Sequence, residues 1–271
     1  MRFKILLLLV SIIVSSCSIS HTSEKEEKAQ AISRHSESMA TVYNYYADEY
    51  RALAYQAFNI AHDRLDNVKD KYPDRKDFAI VVDIDETLLD NSPHQALMIV
   101  QDTSYPYMWN EWCDLANANA IPGAVEFLQY ADANGFNIFY VSNRKIEYVK
   151  ESTMKNLLDL GFPQVDDDNF MLRLKRSEEI PNPSDKQMRR DEISTRGFEI
   201  VMLIGDNLGD FYTDELDAEK RSLQLDAFEE EFGRMFIVLP NAMYGNWTKS
   251  LGVNNEASLD SLLINMTKVF N

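Results

Sequence analysis

The sequence is poor in cysteine, with only two in 271 residues. This scarcity excludes a small fold that depends on a framework of disulfides. Hydrophobic residues make up 45% of the chain and aromatic residues 11%. That is enough to bury a full core, which excludes a wholly disordered protein. The length suits one sizeable domain with at most an appendage.

Basic residues are also scarce, since 27 Lys and Arg stand against 44 Asp and Glu and leave a formal charge of −17. Binding to a phosphate backbone or to an anionic lipid surface requires a basic surface on the protein. The composition therefore excludes a nucleic-acid duplex or an anionic membrane surface as the main partner.

The apolar run near the amino terminus, Ile5–Val14, spans ten residues. A run of this length is too short for a transmembrane helix. Arg2 and Lys4 precede it and small residues follow it. This arrangement is typical of an export signal, so residues 1–16 are predicted to be a signal peptide.

The end of this signal, VSSC at 14–17, resembles the lipobox of bacterial lipoproteins. The resemblance implies cleavage before Cys17 and acylation of Cys17; the alternative is an ordinary signal peptide with an incidental cysteine. Residues 17–37 hold almost no large apolar side chains and are predicted to be a flexible tether. Ser18 is not the aspartate that favours retention in the inner membrane. We therefore expect a lipid-anchored protein of the bacterial outer membrane, either periplasmic or surface-exposed.

The remainder, residues 38–271, is predicted to be one α/β domain without repeats or internal linkers. Short continuous apolar runs, typical of strands buried on both faces, lie at 78–83, 138–141, 200–204 and 235–239. Helical spacing of apolar residues covers 38–72, 124–134, 146–160, 185–196 and 218–232. Alternating strands and helices indicate a parallel sheet flanked by helices with right-handed crossovers.

Polar residues follow three of the predicted strands. The first strand ends in Asp83 and Asp85, the second in Ser142-Asn143-Arg144, and the third in Asp206 with Asp210 nearby. Ligands bind beyond the carboxyl ends of strands in such sheets, so we expect these side chains to converge on one site.

Four carboxylates with no cysteine or histidine close by form a hard oxygen site, which suits Mg²⁺. Asp83 and Asp85 are two residues apart on an extended segment and point the same way. Anions this close repel each other unless a cation lies between them. Mg²⁺ in turn favours phosphate as the substrate group. The alternative is that the aspartates are helix caps and turn formers.

With these motifs the chain resembles a class C non-specific acid phosphatase of the bacterial surface-lipoprotein type, in the haloacid-dehalogenase (HAD) superfamily. The resemblance implies a HAD-like Rossmannoid sheet with a small, mainly helical cap built from the N-terminal helix and inserted segments. The matching stretches are VVDIDETLLDNSP (81–93), IPGAVEF (121–127), FYVSNR (139–144), SDK with a following Arg (184–189), IGDNLGDF (204–211) and LPNAMYGNW (239–247).

The resemblance also implies catalytic roles. Asp83 would attack phosphorus to give an aspartyl-phosphate, and Asp85 would protonate the leaving group and then activate water. Thr87 would orient Asp85 or brace the loop. Lys186 would face the transferring phosphoryl group, with Lys175 and Arg176 as alternatives.

The implied ligands follow from the same motifs. Mg²⁺ would be held by the carboxylates of Asp83 and Asp206 and by the backbone carbonyl of Asp85, with Asp210 acting indirectly by orienting a water. Ser142 and the backbone of Asn143 would bind the phosphoryl oxygens.

Aromatic residues complete the expected site. By resemblance, Trp109 and Tyr244 would stack on a nucleobase or another flat leaving group, whereas Trp112 and Trp247 would pack the cap against the core. His94 stands where the family usually has tyrosine, so it could either titrate near neutral pH or merely fill space. Cys113 is expected to be a packed helix residue rather than a nucleophile.

Together these features predict a Mg²⁺-dependent phosphomonoesterase, an acid phosphatase or 5′-nucleotidase that acts on nucleotide monophosphates and other small organic phosphates. One alternative is a phosphotransferase that uses the same intermediate, and another is a catalytically silent surface-binding lipoprotein. The family resemblance also implies that the protein can form a homodimer.

Overall fold

The computed structural model describes residues 37–214, 217–253 and 256–270. The predicted signal peptide, the predicted lipidation site Cys17 and nearly all of the predicted tether lie outside these residues. Residues 40–251 form one compact unit. The described carboxyl-terminal residues belong to a second unit and contain a helix, Glu256–Thr267, followed by a 3₁₀ turn, Lys268–Phe270.

The compact unit is built around strands β1 to β7, which span Phe78–Val82, Leu89–Asp90, Asn119–Ala120, Asn137–Lys145, Phe170–Arg173, Glu199–Gly205 and Phe236–Val238. Five of them form a sheet in the order β5-β4-β1-β6-β7, and every pairing in it is parallel. β2 and β3 form a separate antiparallel pair. The parallel α/β fold predicted from the sequence is confirmed.

Nine helices accompany these strands in the described part of the compact unit. They are α1 (37–46), α2 (Asp48–Lys71), α3 (Ser92–Val100), α4 (Trp109–Asp114), α5 (Ala124–Ala133), α6 (Ile146–Leu160), α7 (Gln187–Thr195), α8 (Ala218–Ala227) and α9 (Asn246–Ser250). Among all the described residues, no helix is both long enough and apolar enough to cross a bilayer.

The core lies on both faces of the sheet, because side chains alternate along each strand. On β1, Phe78, Ile80 and Val82 face a cluster that includes residues of α2 and α5. Ala79 and Val81 face a second cluster on the other side. This two-sided burial explains why the strand is a continuous apolar run.

The structure adds elements that the apolar pattern does not indicate. β5 has only four residues, alternates buried and half-buried positions and lies at the edge of the sheet. α3 and α4 form an insertion between β2 and β3. The predicted helix over 38–72 is interrupted at Ala47, and the one over 218–232 ends at Ala227, before a short 3₁₀ turn.

The N-terminal helix also differs from the expected cap in its packing. Residues of α2 such as Ala54, Phe58 and Leu65 are buried in the main core. The helix packs beside α5 and β7 and therefore flanks the sheet. The insertion that holds α3 and α4 provides side chains near the carboxyl ends of the strands.

Candidate active site

Three aspartates meet at the carboxyl end of the sheet. Asp83 directly follows β1 and its backbone N–H donates to the Ile204 carbonyl over 2.9 Å. Asp206 directly follows β6, and Asp210 lies in the 3₁₀ turn after it. One carboxylate oxygen from each lies within 4.8 Å of the other two. The structure thus brings together three of the four carboxylates expected to converge.

The turn after β6 sets the direction of Asp210. The Asp210 Oδ2 atom accepts the Asn207 backbone N–H at 2.9 Å, and the Asn207 side chain accepts the Gly209 N–H in return. This reciprocal capping fixes a three-residue turn. Asp210 is therefore held by its own loop before any ligand binds.

Lys186 lies between two of the aspartates. It precedes α7, and its ammonium contacts Asp83 Oδ1 and lies 2.6 Å from Asp210 Oδ1. Its side chain is only 6% exposed. Burial opposes a charge on the ammonium, but Asp210 and Asp83 outweigh that effect and raise the pKa of Lys186. Lys186 is thus a buried cation in the pocket.

The two alternatives to Lys186 lie elsewhere. Lys175 and Arg176 are exposed in the segment between β5 and α7. The geometry thus selects Lys186 as the lysine that faces the aspartates.

The aspartates carry more negative charge than Lys186 can balance. Burial raises the pKa of Asp83 to about 7, with Lys186 opposing the shift and Asp210 adding to it. Burial raises the pKa of Asp206 as well, and repulsion from Asp210 and Asp83 adds to the shift. Such crowding indicates that a further cation belongs here. Closely spaced carboxylate oxygens are ligands that a divalent cation prefers, so these residues fit a divalent metal.

Asp85 has a separate set of hydrogen-bond partners. Its Oδ1 atom accepts hydrogen bonds from Arg144 Nε and Asn91 Nδ2, both at 2.9 Å. Its Oδ2 atom lies 3.4 Å from Ser142 Oγ. The Asp85 carboxylate is therefore not part of the three-aspartate group.

Ser142 and Asn143 lie near the carboxyl end of β4, where Arg189 of α7 supports them. Arg189 donates to the Ser142 carbonyl at 2.6 Å and to Asn143 Oδ1 at 2.7 Å. Asn143 also donates to the Ser184 carbonyl at 3.0 Å. Sequence reasoning placed Ser142 and Asn143 at the site but missed Arg189, although the SDK motif ends on it.

Thr87 contacts the nucleophile candidate rather than Asp85. Its hydroxyl lies 3.4 Å from Asp83 Oδ2. The preceding residue, Glu86, is buried and has a left-handed backbone conformation (φ 56°). Its carboxylate accepts a hydrogen bond from the Asn91 backbone N–H at 2.8 Å. Burial is the main cause that raises the pKa of Glu86, and repulsion from Asp85 adds to it. Thr87 thus braces Asp83.

The insertion supplies aromatic side chains beside Asp85. Trp109 lies near His94, with ring centroids 5.1 Å apart, and under the Arg144 guanidinium, 5.4 Å from its ring centroid. Tyr244 is 36% exposed. Trp109 is thus beside the site, as expected, and Tyr244 presents part of its ring to solvent.

His94 is a buried structural residue. Its Nε2 atom lies 2.8 Å from the Tyr107 carbonyl, so the ring must donate a proton there. Burial lowers the pKa of His94, which favours the neutral ring. The geometry therefore favours the space-filling alternative over a titrating one.

Trp112, Trp247 and Cys113 are the remaining residues that the sequence singled out, and all three have structural surroundings. Trp112 packs against the main core and donates from Nε1 to Asn91 Oδ1 at 2.8 Å. Trp247 is half-buried in α9. Cys113 is buried in α4, and burial raises the pKa of its thiol to about 12, as expected of a packed residue.

Comparisons with known proteins show the family to which the chain belongs. A family model described as HAD superfamily, subfamily IIIB (acid phosphatase), matches residues 5–247. A curated Bacillus cereus protein described as a candidate nucleotidase is 36% identical over 77 residues, which are 27% of this chain and 40% of that protein. The chain thus matches about two fifths of that relative's length.

Two solved structures of the class C acid phosphatase from Bacillus anthracis resemble the fold. The first aligns with a TM-score of 0.74 and the second, which has tungstate bound, with a TM-score of 0.75. Both are 35% identical to this chain, and each alignment covers 84% of it and 95% of the solved chain. With an Asp-rich site at the carboxyl end of a matching sheet, the chain belongs to the HAD subfamily IIIB acid phosphatase family.

Proposed function

We propose that this acid phosphatase is a Mg²⁺-dependent phosphomonoesterase that forms an aspartyl-phosphate on Asp83. The observation that carries the proposal is the position of Lys186. Its buried ammonium orients Asp83 and Asp210 beside Asp206, in a pocket where the surrounding protein is strongly anionic. Lys186, together with the divalent metal that the aspartates would hold, would supply the short-range positive charge that attracts a phosphate dianion, which the net charge of the protein would repel.

The first step is phosphoryl transfer to Asp83. An Asp83 carboxylate oxygen forms a bond to phosphorus, and the bond from phosphorus to the ester oxygen breaks. The departing oxygen takes the proton from the Asp85 carboxyl group. Lys186, Ser142 and the Asn143 backbone bind the phosphoryl oxygens and hold them in line with Asp83.

The second step regenerates the enzyme. Asp85, now ionised, accepts a proton from a water molecule as the water attacks phosphorus. The bond between phosphorus and Asp83 breaks, which releases inorganic phosphate and the Asp83 carboxylate. No other residue needs to change its protonation state in the cycle.

Mg²⁺ would be held by the carboxylates of Asp83 and Asp206 and the backbone carbonyl of Asp85, with Asp210 in an indirect role. When bound, it supplies positive charge that offsets repulsion between the Asp83 carboxylate and the substrate phosphate.

We propose nucleotide monophosphates and other small organic phosphates as substrates. Three observations support this: one relative is described as a candidate nucleotidase, another was solved with tungstate bound, which is tetrahedral like phosphate, and Trp109 and Tyr244 can provide flat surfaces. A panel of 5′- and 3′-mononucleotides and sugar phosphates, with and without Mg²⁺, tests this assignment. Absence of phosphate release from every mononucleotide of the panel would contradict it.

The decisive variant is Asp83→Asn, which removes the nucleophile but keeps the shape of the side chain. We expect it to abolish phosphate release from mononucleotides while the thermal unfolding curve stays cooperative. EDTA should abolish wild-type release, and added Mg²⁺ should restore it. Asp77→Asn is the matched control, since Asp77 is at the other end of β1 and pairs with Arg75. Full turnover by Asp83→Asn would refute the mechanism.

We also propose that the protein is anchored at the outer membrane through acylated Cys17. Residues 1–17 support this proposal with a lipobox-like ending. Cys17→Ser should move the enzyme from the membrane fraction to the soluble fraction without altering its specific activity. Retention of Cys17→Ser in the membrane fraction would contradict the anchor.

A further inference from the structure

We propose that Arg144 is a positioning residue that, with Asn91, clamps one oxygen of Asp85 so that the other oxygen alone exchanges the catalytic proton. This inference rests on the proposed function, in which Asp85 is the acid and base. Arg144 is 3% exposed at the end of β4. It lies outside the three-aspartate group.

Every strong contact of the Asp85 carboxylate falls on one atom. Oδ1 accepts from Arg144 Nε at 2.9 Å, from Arg144 Nη2 at 2.8 Å and from Asn91 Nδ2 at 2.9 Å. Oδ2 has the Ser142 hydroxyl at 3.4 Å. The two oxygens of Asp85 are therefore inequivalent, and Oδ2 is the one available to a substrate bound at Ser142.

The orientation of Asn91 is fixed by its own partners. The indole nitrogen of Trp112 can only donate, and it lies 2.8 Å from Asn91 Oδ1. Asn91 must therefore present its amide N–H group, and not its carbonyl, to Asp85. The Asn91 backbone N–H is held by Glu86 at 2.8 Å.

Arg144 is fixed in the same way. Its Nη1 atom donates to Thr153 Oγ1 at 2.9 Å, and the Thr153 hydroxyl donates its own proton to the Val149 carbonyl at 2.6 Å. A lone pair of the Thr153 hydroxyl oxygen therefore faces Arg144. One N–H group of the guanidinium binds Thr153 of α6 and two bind Asp85. The guanidinium therefore cannot turn without losing charge-assisted hydrogen bonds.

The clamp has a consequence for both steps of the reaction. A proton on Oδ2 leaves all three hydrogen bonds to Oδ1 intact, so Asp85 keeps one orientation in its acid and base forms. Proton donation to the leaving oxygen breaks the Oδ2–H bond and forms the O–H bond of the alcohol. No side chain needs to move between the steps, which preserves alignment.

The test compares two esters of similar shape, 4-nitrophenyl phosphate and 4-nitrobenzyl phosphate. The nitrophenolate departs without a proton, whereas the benzyl alkoxide requires one. The ratio kcat/KM covers the steps up to departure of the alcohol. In Arg144→Lys we expect kcat/KM for the benzyl ester to fall by roughly 30-fold or more, because part of the usual contribution of general acid catalysis is lost. For the aryl ester, kcat/KM should fall by about 3-fold or less, because its departure needs no proton.

Arg189→Lys is the matched control, because Arg189 of α7 is another buried arginine whose guanidinium contacts β4, but it holds Ser142 and Asn143, the residues proposed to bind phosphate. It should lower kcat/KM for both esters by the same factor. A merely structural role for Arg144 would likewise lower both equally, and that result would overturn the proposal, as would no loss at all.

Thr153→Val decides the matter if Arg144→Lys does not fold. It removes the third anchor of the guanidinium and touches neither Asp85 nor phosphate. A fall in kcat/KM for the benzyl ester alone supports the clamp. The same change in kcat/KM for both esters, or no change, contradicts it. Failure of the proposed function is distinguishable, since the wild type would then release no phosphate or Asp83→Asn would retain activity.

Discussion

Gly205 and Asp210 lie so close that a Cβ atom on residue 205 would be 2.2 Å from Asp210 Oδ2 and 2.4 Å from Asp210 Cβ. Gly205→Ala must therefore displace Asp210 and break its hydrogen bond to the Asn207 N–H. We expect a loss of about 1–3 kcal/mol in unfolding free energy, typical of overpacking. We also expect a large loss of phosphatase activity, because Asp210 would leave Lys186. Thermal unfolding and phosphate release measure the two effects.

Gly209→Ala, in the same loop, is the control for Gly205→Ala. A Cβ atom there meets its nearest neighbours at 3.7 Å or more, an ordinary contact distance. Its stability and activity should stay close to those of the wild type. If both substitutions lowered stability and activity equally, the cause would be the loss of glycine from the loop and not the close approach of residue 205 to Asp210.

Arg189→Lys should weaken phosphate binding more than turnover. The guanidinium makes two hydrogen bonds to the Ser142–Asn143 segment, and lysine cannot make both. Loss of one charged hydrogen bond, about 1.5–3 kcal/mol, corresponds to an increase in KM of roughly 10-fold or more. The inhibition constant of inorganic phosphate should rise in parallel.

Arg196→Lys is the comparison for the Arg189 variant. Arg196 follows the same helix and donates to the Asp168 carbonyl, on the exposed side. Its KM and its phosphate inhibition should not change. An unchanged KM in Arg189→Lys would show that Ser142 and Asn143 keep their positions without Arg189.

Cys113 should resist thiol reagents in the folded enzyme. It is buried, and burial raises its thiol pKa to about 12, so the reactive thiolate is scarce at pH 8. In a Cys17→Ser variant it is the single cysteine of the sequence. We expect slow labelling by iodoacetamide without denaturant and complete labelling in guanidinium chloride. Rapid labelling of the native enzyme would show that α4 opens readily.

The sequence identified the residues whose position follows from local pattern. Asp83 and Asp206 directly follow buried strands, and all parallel strands end at the same edge, so their convergence could be predicted. Lys186 could be placed by its motif before a helix. The two aspartates need only the order of elements to be found, whereas Lys186 also needed the family resemblance, which left Lys175 and Arg176 as alternatives.

Arg144 was expected near the site, but neither its hydrogen-bond partner nor the role of Arg189 could be predicted. Arg144 reaches Asp85 across 59 residues, and Arg189 reaches Asn143 across 46. No periodicity indicates such a pairing, and a charged residue at a strand end is more often solvated. The four-residue strand β5 was missed for a related reason: an edge strand lacks the continuous apolar run that full burial requires.

Mg²⁺ should stabilise the fold through Asp206, apart from any effect on catalysis. A ligand that binds only the native state raises stability by about 2.7 kcal/mol at one hundred times its dissociation constant. We therefore expect the melting temperature to rise with Mg²⁺ and to fall back with EDTA. In Asp206→Asn, which retains the hydrogen-bonding partner Asn241 but loses a carboxylate, the rise should be greatly reduced. Asp214→Asn, at a carboxylate that pairs with Arg221 and is not part of the three-aspartate group, should keep the full rise. An equal rise in wild type and Asp206→Asn would place the ion outside the three-aspartate group.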